Sequence, residues 1–194
     1  MPQITWVLQD PRFLQQLQHF DDDLAGRVRS AGCPCGGRLH GARYPRKPRG
    51  GPATGLPAGY GHRASFCCAE DGCRRRATPP SFRFLGRKVY LAVVVVLISA
   101  LSQRVTVRRF AQIRAHVGVC RRTLERWREW WLEVFAEGRF WQEAKARFAP
   151  PPPSTDRLPA SLIERFAGDD PARLLSTLRF LLPITTASAV VPAF

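Results

Sequence analysis

With 194 residues and a formal net charge of +15, the chain has room for one domain or two small ones and favours polyanionic partners, nucleic acid first. Lys47, Lys88 and Lys145 are the lysines among 30 basic residues, and 17 prolines accompany the arginines. That pattern is partly compositional bias, so local clustering of charge carries more weight than its total.

The first residues lack a basic start followed by an apolar run, which argues against an export signal. Six cysteines in such a chain fit a reducing compartment, where clustered thiols bind metal more often than they form disulfides. The expected location is cytoplasmic, with the nucleoid, and no membrane partner is expected.

In chain order, residues 1–30 predict a short amphipathic helical segment from Phe13, Leu14, Leu17, Phe20 and Leu24. The acidic run Asp21, Asp22, Asp23 reads as a solvated helix face. Residues 31–87 form a separate segment, and their first half is rich in Gly, Pro and Arg with few large aliphatic residues. Such a stretch needs a staple to fold. Two cysteine groups supply one: Cys33-Pro34-Cys35-Gly36-Gly37, then Cys67-Cys68 and Cys73. Zinc takes four thiolate or imidazole ligands in a tetrahedron, and two tight turns can supply two each. Glycines beside the cysteines let backbone amides approach the sulfurs. The predicted ligands are Cys33, Cys35, Cys68 and Cys73, with Cys67 as the alternative to Cys68 and His40 and His62 in reserve. Paired cysteines in glycine-rich turns look structural, and a closed site leaves no open position for chemistry. Within this segment, the proline-bracketed patch Arg46, Lys47 and Arg49 suits a phosphate backbone or minor groove as well as a solvated loop.

Residues 88–148 form the next segment. Its apolar run Val89–Leu101 is shorter than the roughly 20 residues of a spanning helix and reads as a buried core helix. From Thr106 the pattern becomes a helix-turn-helix. Thr106 caps a first helix burying Phe110, Ile113 and Val117, Gly118 makes the turn, and a second helix starts at Arg121. Leu124, Trp127, Trp131 and Val134 share its buried face, and Cys120 reads as a small buried residue. Eight arginines against one acid, Glu125, lie between residues 104 and 128. A recognition helix presents its first turns to the major groove, where arginine reaches guanine edges or phosphates. The predicted DNA-contacting set is Arg108, Arg109, Arg121, Arg122, Thr123, Glu125 and Arg126, with Arg46, Lys47 and Arg49.

Pro150–Pro153 mark a stiff linker over residues 149–157. Residues 158–194 follow, with short helices over Leu158–Phe166 and Pro171–Leu182 and Asp170 as the cap of the second. Leu174, Leu175, Leu178 and Leu181 form a stripe that suits a homodimer interface and packing on the same chain equally. The fold class is α+β: a small zinc-ribbon β-module, then a mainly helical helix-turn-helix region and C-terminal helices.

With these residues in view, the chain resembles the DNA-binding front end of bacterial insertion-sequence transposases. The resemblance rests on CPCGG, FCCAEDGCRRRATPPSFRFLG and the helical segment ending LERWREWW, and spans roughly residues 31–135. It implies binding to transposon ends or a related double-stranded DNA site. Such transposases continue into a nuclease domain whose separated acids hold metal ions, and no such set is evident after Trp131. The expectation is therefore a sequence-specific or transposon-end DNA-binding accessory or regulator without catalysis of its own. The alternatives are an RNA-binding zinc protein, with tryptophans stacking on bases, and a non-catalytic subunit of a transposase or recombinase complex.

Overall fold

The computed structural model describes residues 4–45, 55–85, 91–102, 118–149, 155 and 157–186. They form a mixed α+β fold of helices and a small three-stranded antiparallel sheet.

A 3-10 turn, Ile4–Gln9, leads into helix α1, Pro11–Ala31. Asp10 caps α1 by accepting the Arg12 amide, Pro11 stands in the first turn, and Gly32 ends it at a positive φ of 72, which glycine adopts without strain. The first half of α1 buries Phe13, Leu14 and Leu17 in the main core, and Ala25 packs on the sheet.

The sheet comprises β1 (Leu39–Pro45), β2 (His62–Cys68) and β3 (Arg76–Ala77), in that spatial order. Leu39 pairs with Cys68 and Pro45 with His62, while Phe66 and Cys67 pair with Ala77 and Arg76. Side chains alternate across a strand. Leu39, Phe66 and Cys68 accordingly share one face with Ala25 and Val28 of α1, as a small second core.

Helix α2, Ala92–Ser102, is apolar all round, and its residues from Ala92 to Ala100 are buried, as expected of a core helix. Among the described residues no helix is long and apolar enough to cross a membrane. Helix α3, Arg121–Glu129, runs on into a π-helical turn at Trp130–Phe135. The wider turn changes which side chains face inward. Trp130 is therefore buried beside Trp131, their rings edge to face at 4.7 Å, in addition to the inward set expected from a regular helical period. After Gly138, helix α4 (Arg139–Ala144) and a 3-10 turn (Lys145–Arg147) follow.

Helix α5, Ala160–Ile163, is a single turn, much shorter than the segment read over Leu158–Phe166. Helix α6, Asp170–Phe180, is capped by Asp169, whose carboxylate accepts the Ala172 amide. The cap thus lies one residue before the expected Asp170. On α6, Leu174 and Leu178 are buried, and so is Leu181 just beyond it, all in the same core as α1, α2 and α3, while Leu175 packs at its margin. This stripe packs on its own chain, one of the two expectations held for those leucines. One apolar core joins side chains from the N-terminal segment, α2, α3 and the C-terminal helices, segments that the sequence divides.

A buried polar network locks this core to the sheet. The Asp21 carboxylate accepts Ser81 Oγ (2.6 Å), the Phe82 amide (2.6 Å) and Arg83 Nε (2.8 Å). Arg83 also donates to the carbonyls of Tyr60 (2.7 Å) and His62 (3.0 Å), and lies over the Tyr60 ring. Arg63 donates to the Thr185 carbonyl (2.6 Å), and Thr185 Oγ1 accepts the Ser81 amide (2.9 Å). Asp21 is therefore buried, and the reading of the whole acidic run as solvated is corrected for this residue. Asp22 and Asp23 are exposed.

Candidate metal centre

The sheet and the end of α1 bring two cysteine turns together. The first begins where Gly32 ends α1. The Cys33 amide donates to the Gly37 carbonyl (3.0 Å), and Gly36, at φ 86, donates back to the Cys33 carbonyl (2.8 Å). The second turn leaves β2 at Cys68. Its Cys73 and Arg74 amides both donate to the Glu70 carbonyl at 3.0 Å. Arg74 takes a left-handed backbone at φ 46, which reverses the chain and returns it to the sheet as β3. The Ala69 amide donates to the Arg38 carbonyl (2.9 Å) and ties the turns to each other.

As a result, the sulfurs of Cys33, Cys35, Cys68 and Cys73 all lie within 4.8 Å of one another, close enough to hold one metal ion. Cys33 and Cys73 stand 3.7 Å apart, Cys35 and Cys68 3.5 Å. Cys33 and Cys68 are buried, Cys73 is half-buried and Cys35 is exposed. Cys67 faces the other side of β2, with its thiol against the Arg74 carbonyl at 3.5 Å, so Cys68 is the member of the cluster. The reserve ligands His40 and His62 are exposed and stand outside the group.

The thiols are electrostatically unequal. The Gly37 amide, then the neighbouring thiols, lower Cys35 to about 7. At Cys68 the Glu70 amide also favours the thiolate, but burial and the other three thiols outweigh it and push the group up to about 12. Four sulfurs this close resist joint ionisation unless a cation neutralises them, and a bound metal does so.

No family model, curated protein or solved structure matches this chain. The chemistry of the site rests on its own residues. Gly37 shows how tightly the turns meet: a Cβ there would stand 2.5 Å from Glu70 Cγ and 2.7 Å from Cys68 Sγ. Gly37→Ala is expected to weaken metal affinity on the order of ten- to a hundredfold, because a ligand sulfur would have to move. A Cβ at Gly26 on α1 meets nothing within 4 Å, so Gly26→Ala serves as the neutral control in a competitive chelator titration. Equal affinities for the two variants would mean that the turns are not held as described.

The other predicted site residues divide. Arg121, Arg122, Glu125 and Arg126 are exposed along one face of α3, with Arg128 and Glu129. Gly118 has the left-handed backbone, φ 62, expected of the turn before it. Thr123 does not belong to this face: it is buried, and its hydroxyl lies 3.3 Å from Cys120 Sγ. One position after Arg122, the helical rotation carries Thr123 inward towards Leu124 and Trp127. Cys120 is exposed rather than buried because it precedes the first turn of α3 as its N-cap. The Thr123 hydroxyl, with the first amides of the helix, lowers its thiol below the ordinary value. Arg108, Arg109, Arg46, Lys47 and Arg49, and the first predicted helix from Thr106, lie outside the described residues.

Proposed function

We propose that this chain is a duplex-DNA-binding protein in which a zinc ribbon stabilises the sheet and α3 reads a DNA site. It acts as an accessory or regulator of a mobile element, without catalysis of its own. Zinc suits the centre because four thiolates are soft donors and a closed tetrahedral set is a structural arrangement. Four thiolates at about 2.3 Å from a metal stand about 3.8 Å apart, and the sulfur pairs at 3.5 and 3.7 Å are near that spacing.

The exposed face of α3 carries the reading. Arg121, Arg122, Arg126 and Arg128 project from it, while Trp127, Trp130 and Trp131 fix its inner face at 3%, 2% and 0% exposure. Arg121 pairs with Glu125 at 2.8 Å, but both are exposed, so the pair contributes little and opens readily to a phosphate. The buried tryptophans weigh against RNA as the partner, because rings packed in the core offer no platform for unpaired bases.

Arg122→Ala combined with Arg126→Ala tests the reading by titration of duplex DNA across salt concentrations. Each lost phosphate contact is expected to reduce the slope of log K against log salt by about 0.9, so the double variant binds more weakly and with a flatter slope. Affinity and slope equal to those of the unsubstituted chain would remove α3 as the contacting helix.

A further inference from the structure

Resting on the zinc reading of the centre, we propose that Cys35 and Cys68 are a redox-active pair whose substrate is a hydroperoxide. Cys35 takes the first oxidation, and Cys68 resolves it as a disulfide that releases the metal. The four cluster cysteines differ in access: Cys35 is exposed, Cys73 is half-buried, and Cys33 and Cys68 are buried. Cys35 stands in the first turn between Pro34 and Gly36, which are exposed as well. A small uncharged oxidant therefore meets the Cys35 sulfur first. Metal-ligating cysteines are thiolates, the nucleophilic form that a peroxide oxidises.

The resolving thiol is already in place. Cys68 Sγ lies 3.5 Å from Cys35 Sγ, across the junction of the two turns. Gly37 lies against both sulfurs without a side chain that could part them. A Cβ there would stand 2.7 Å from Cys68 Sγ and 3.4 Å from Cys35 Sγ. An S–S bond needs a further approach of about 1.5 Å, the size of a side-chain rotation. Cys67 is no rival to Cys68, because it faces the other side of β2 with its thiol on the Arg74 carbonyl at 3.5 Å. Cys120 stands outside the cluster.

The chemistry runs in two displacements. The Cys35 thiolate attacks one peroxide oxygen, the O–O bond breaks, hydroxide leaves, and Cys35 becomes a sulfenic acid. The Cys68 thiolate then attacks the Cys35 sulfur, the S–O bond breaks, a second hydroxide leaves, and the S–S bond forms. The two sulfurs together lose two electrons, and the peroxide gains them. Both hydroxides take up protons to give water. Cys33 and Cys73 are then the cluster thiolates that remain, too few for a closed structural site, so the ion is released. A dithiol reductant reverses the step and restores the four donors.

The test treats the full zinc-loaded chain with sub-stoichiometric hydrogen peroxide. A chromogenic chelator reads the released metal, and peptide mapping after trapping of free thiols reads the disulfides. Metal release is expected in step with a disulfide joining Cys35 to Cys68, with Cys67 and Cys120 recovered as free thiols. Cys35→His keeps a zinc donor in a three-cysteine, one-histidine set but removes the exposed thiolate, so it is expected to hold its metal under the same peroxide. Cys33→His retains the reacting pair and is expected to release metal as the unsubstituted chain does. A first disulfide between other cysteines, or release from Cys35→His at the rate of the unsubstituted chain, overturns the pair. If Cys35→His takes up no zinc, the mapping of the unsubstituted chain decides alone. If the unsubstituted chain takes up no zinc, the zinc reading fails and the release with it. A zinc-loaded chain that forms no Cys35–Cys68 disulfide overturns the pair and leaves the zinc reading standing.

Discussion

Cys68→Ser is expected to abolish metal uptake and to unfold the sheet between Leu39 and Ala77, leaving the helical core in place. The reason lies in the small size of the sheet's apolar core. Its buried members are Ala25, Cys33, Leu39, Phe66 and Cys68, and two of those five are themselves cluster cysteines. Leu39 and Phe66 supply about 1.5–3 kcal/mol each by burial, which cannot offset the entropy of ordering three strands and two turns. Metal binding to such a site is folding free energy, on the order of 10–16 kcal/mol for structural zinc near neutral pH. Acid weakens it, because protons compete for the thiolates. Hydrogen exchange checks the expectation: amides of β1 and β2 lose protection in the variant or in chelator, while those of α2 and α6 keep theirs. A chain that retains protected β1 and β2 amides without metal would overturn the folding role of the centre.

Asp21→Ala is expected to cost about 3–5 kcal/mol of stability, the usual penalty for leaving a buried charge without its partner. Arg83 is buried with its Nε on the Asp21 carboxylate, which also accepts Ser81 Oγ and the Phe82 amide. Removing the carboxylate strands a cation and orphans two further donors at once. The helix α1, the connector at residues 81–85 and the turn carrying Thr185 meet at this network, so the loss propagates to both the core and the sheet. Urea unfolding measures it as a lower midpoint. Pairing the change with Arg83→Met is expected to recover much of the loss, because the buried Asp21–Arg83 pair is then removed on both sides and neither charge is left without its partner. A single variant within about 0.5 kcal/mol of the parent, as at an ordinary surface site, would show that the network is not holding the fold.

The cysteine cluster and the arginine face of α3 were legible in the sequence because each depends on local spacing. Two turns with paired cysteines point to a possible metal site, and a helical period sorts Arg122 from Leu124. What the sequence hid depends on distant partners or on irregular backbone. Asp21 looks like its exposed neighbours, and the arginine that buries it lies 62 positions away. Trp130 turns inward because of a π-helical turn that no regular period anticipates. Cys120 and Thr123 exchanged their expected places, since a shift of one position at a helix start moves a side chain between core and solvent. Asp169 in place of Asp170 as the α6 cap is the same kind of miss. The choice between Cys67 and Cys68 needed the strand register, which sends adjacent side chains to opposite faces.

Selection from a pool of random duplex DNA by the zinc-loaded chain, with the Arg122→Ala/Arg126→Ala variant in parallel, tests the central claim most directly. The account predicts that the chain enriches a recurring sequence motif and that the variant does not. A pool that returns unenriched, or the same motif enriched by the variant, would contradict it.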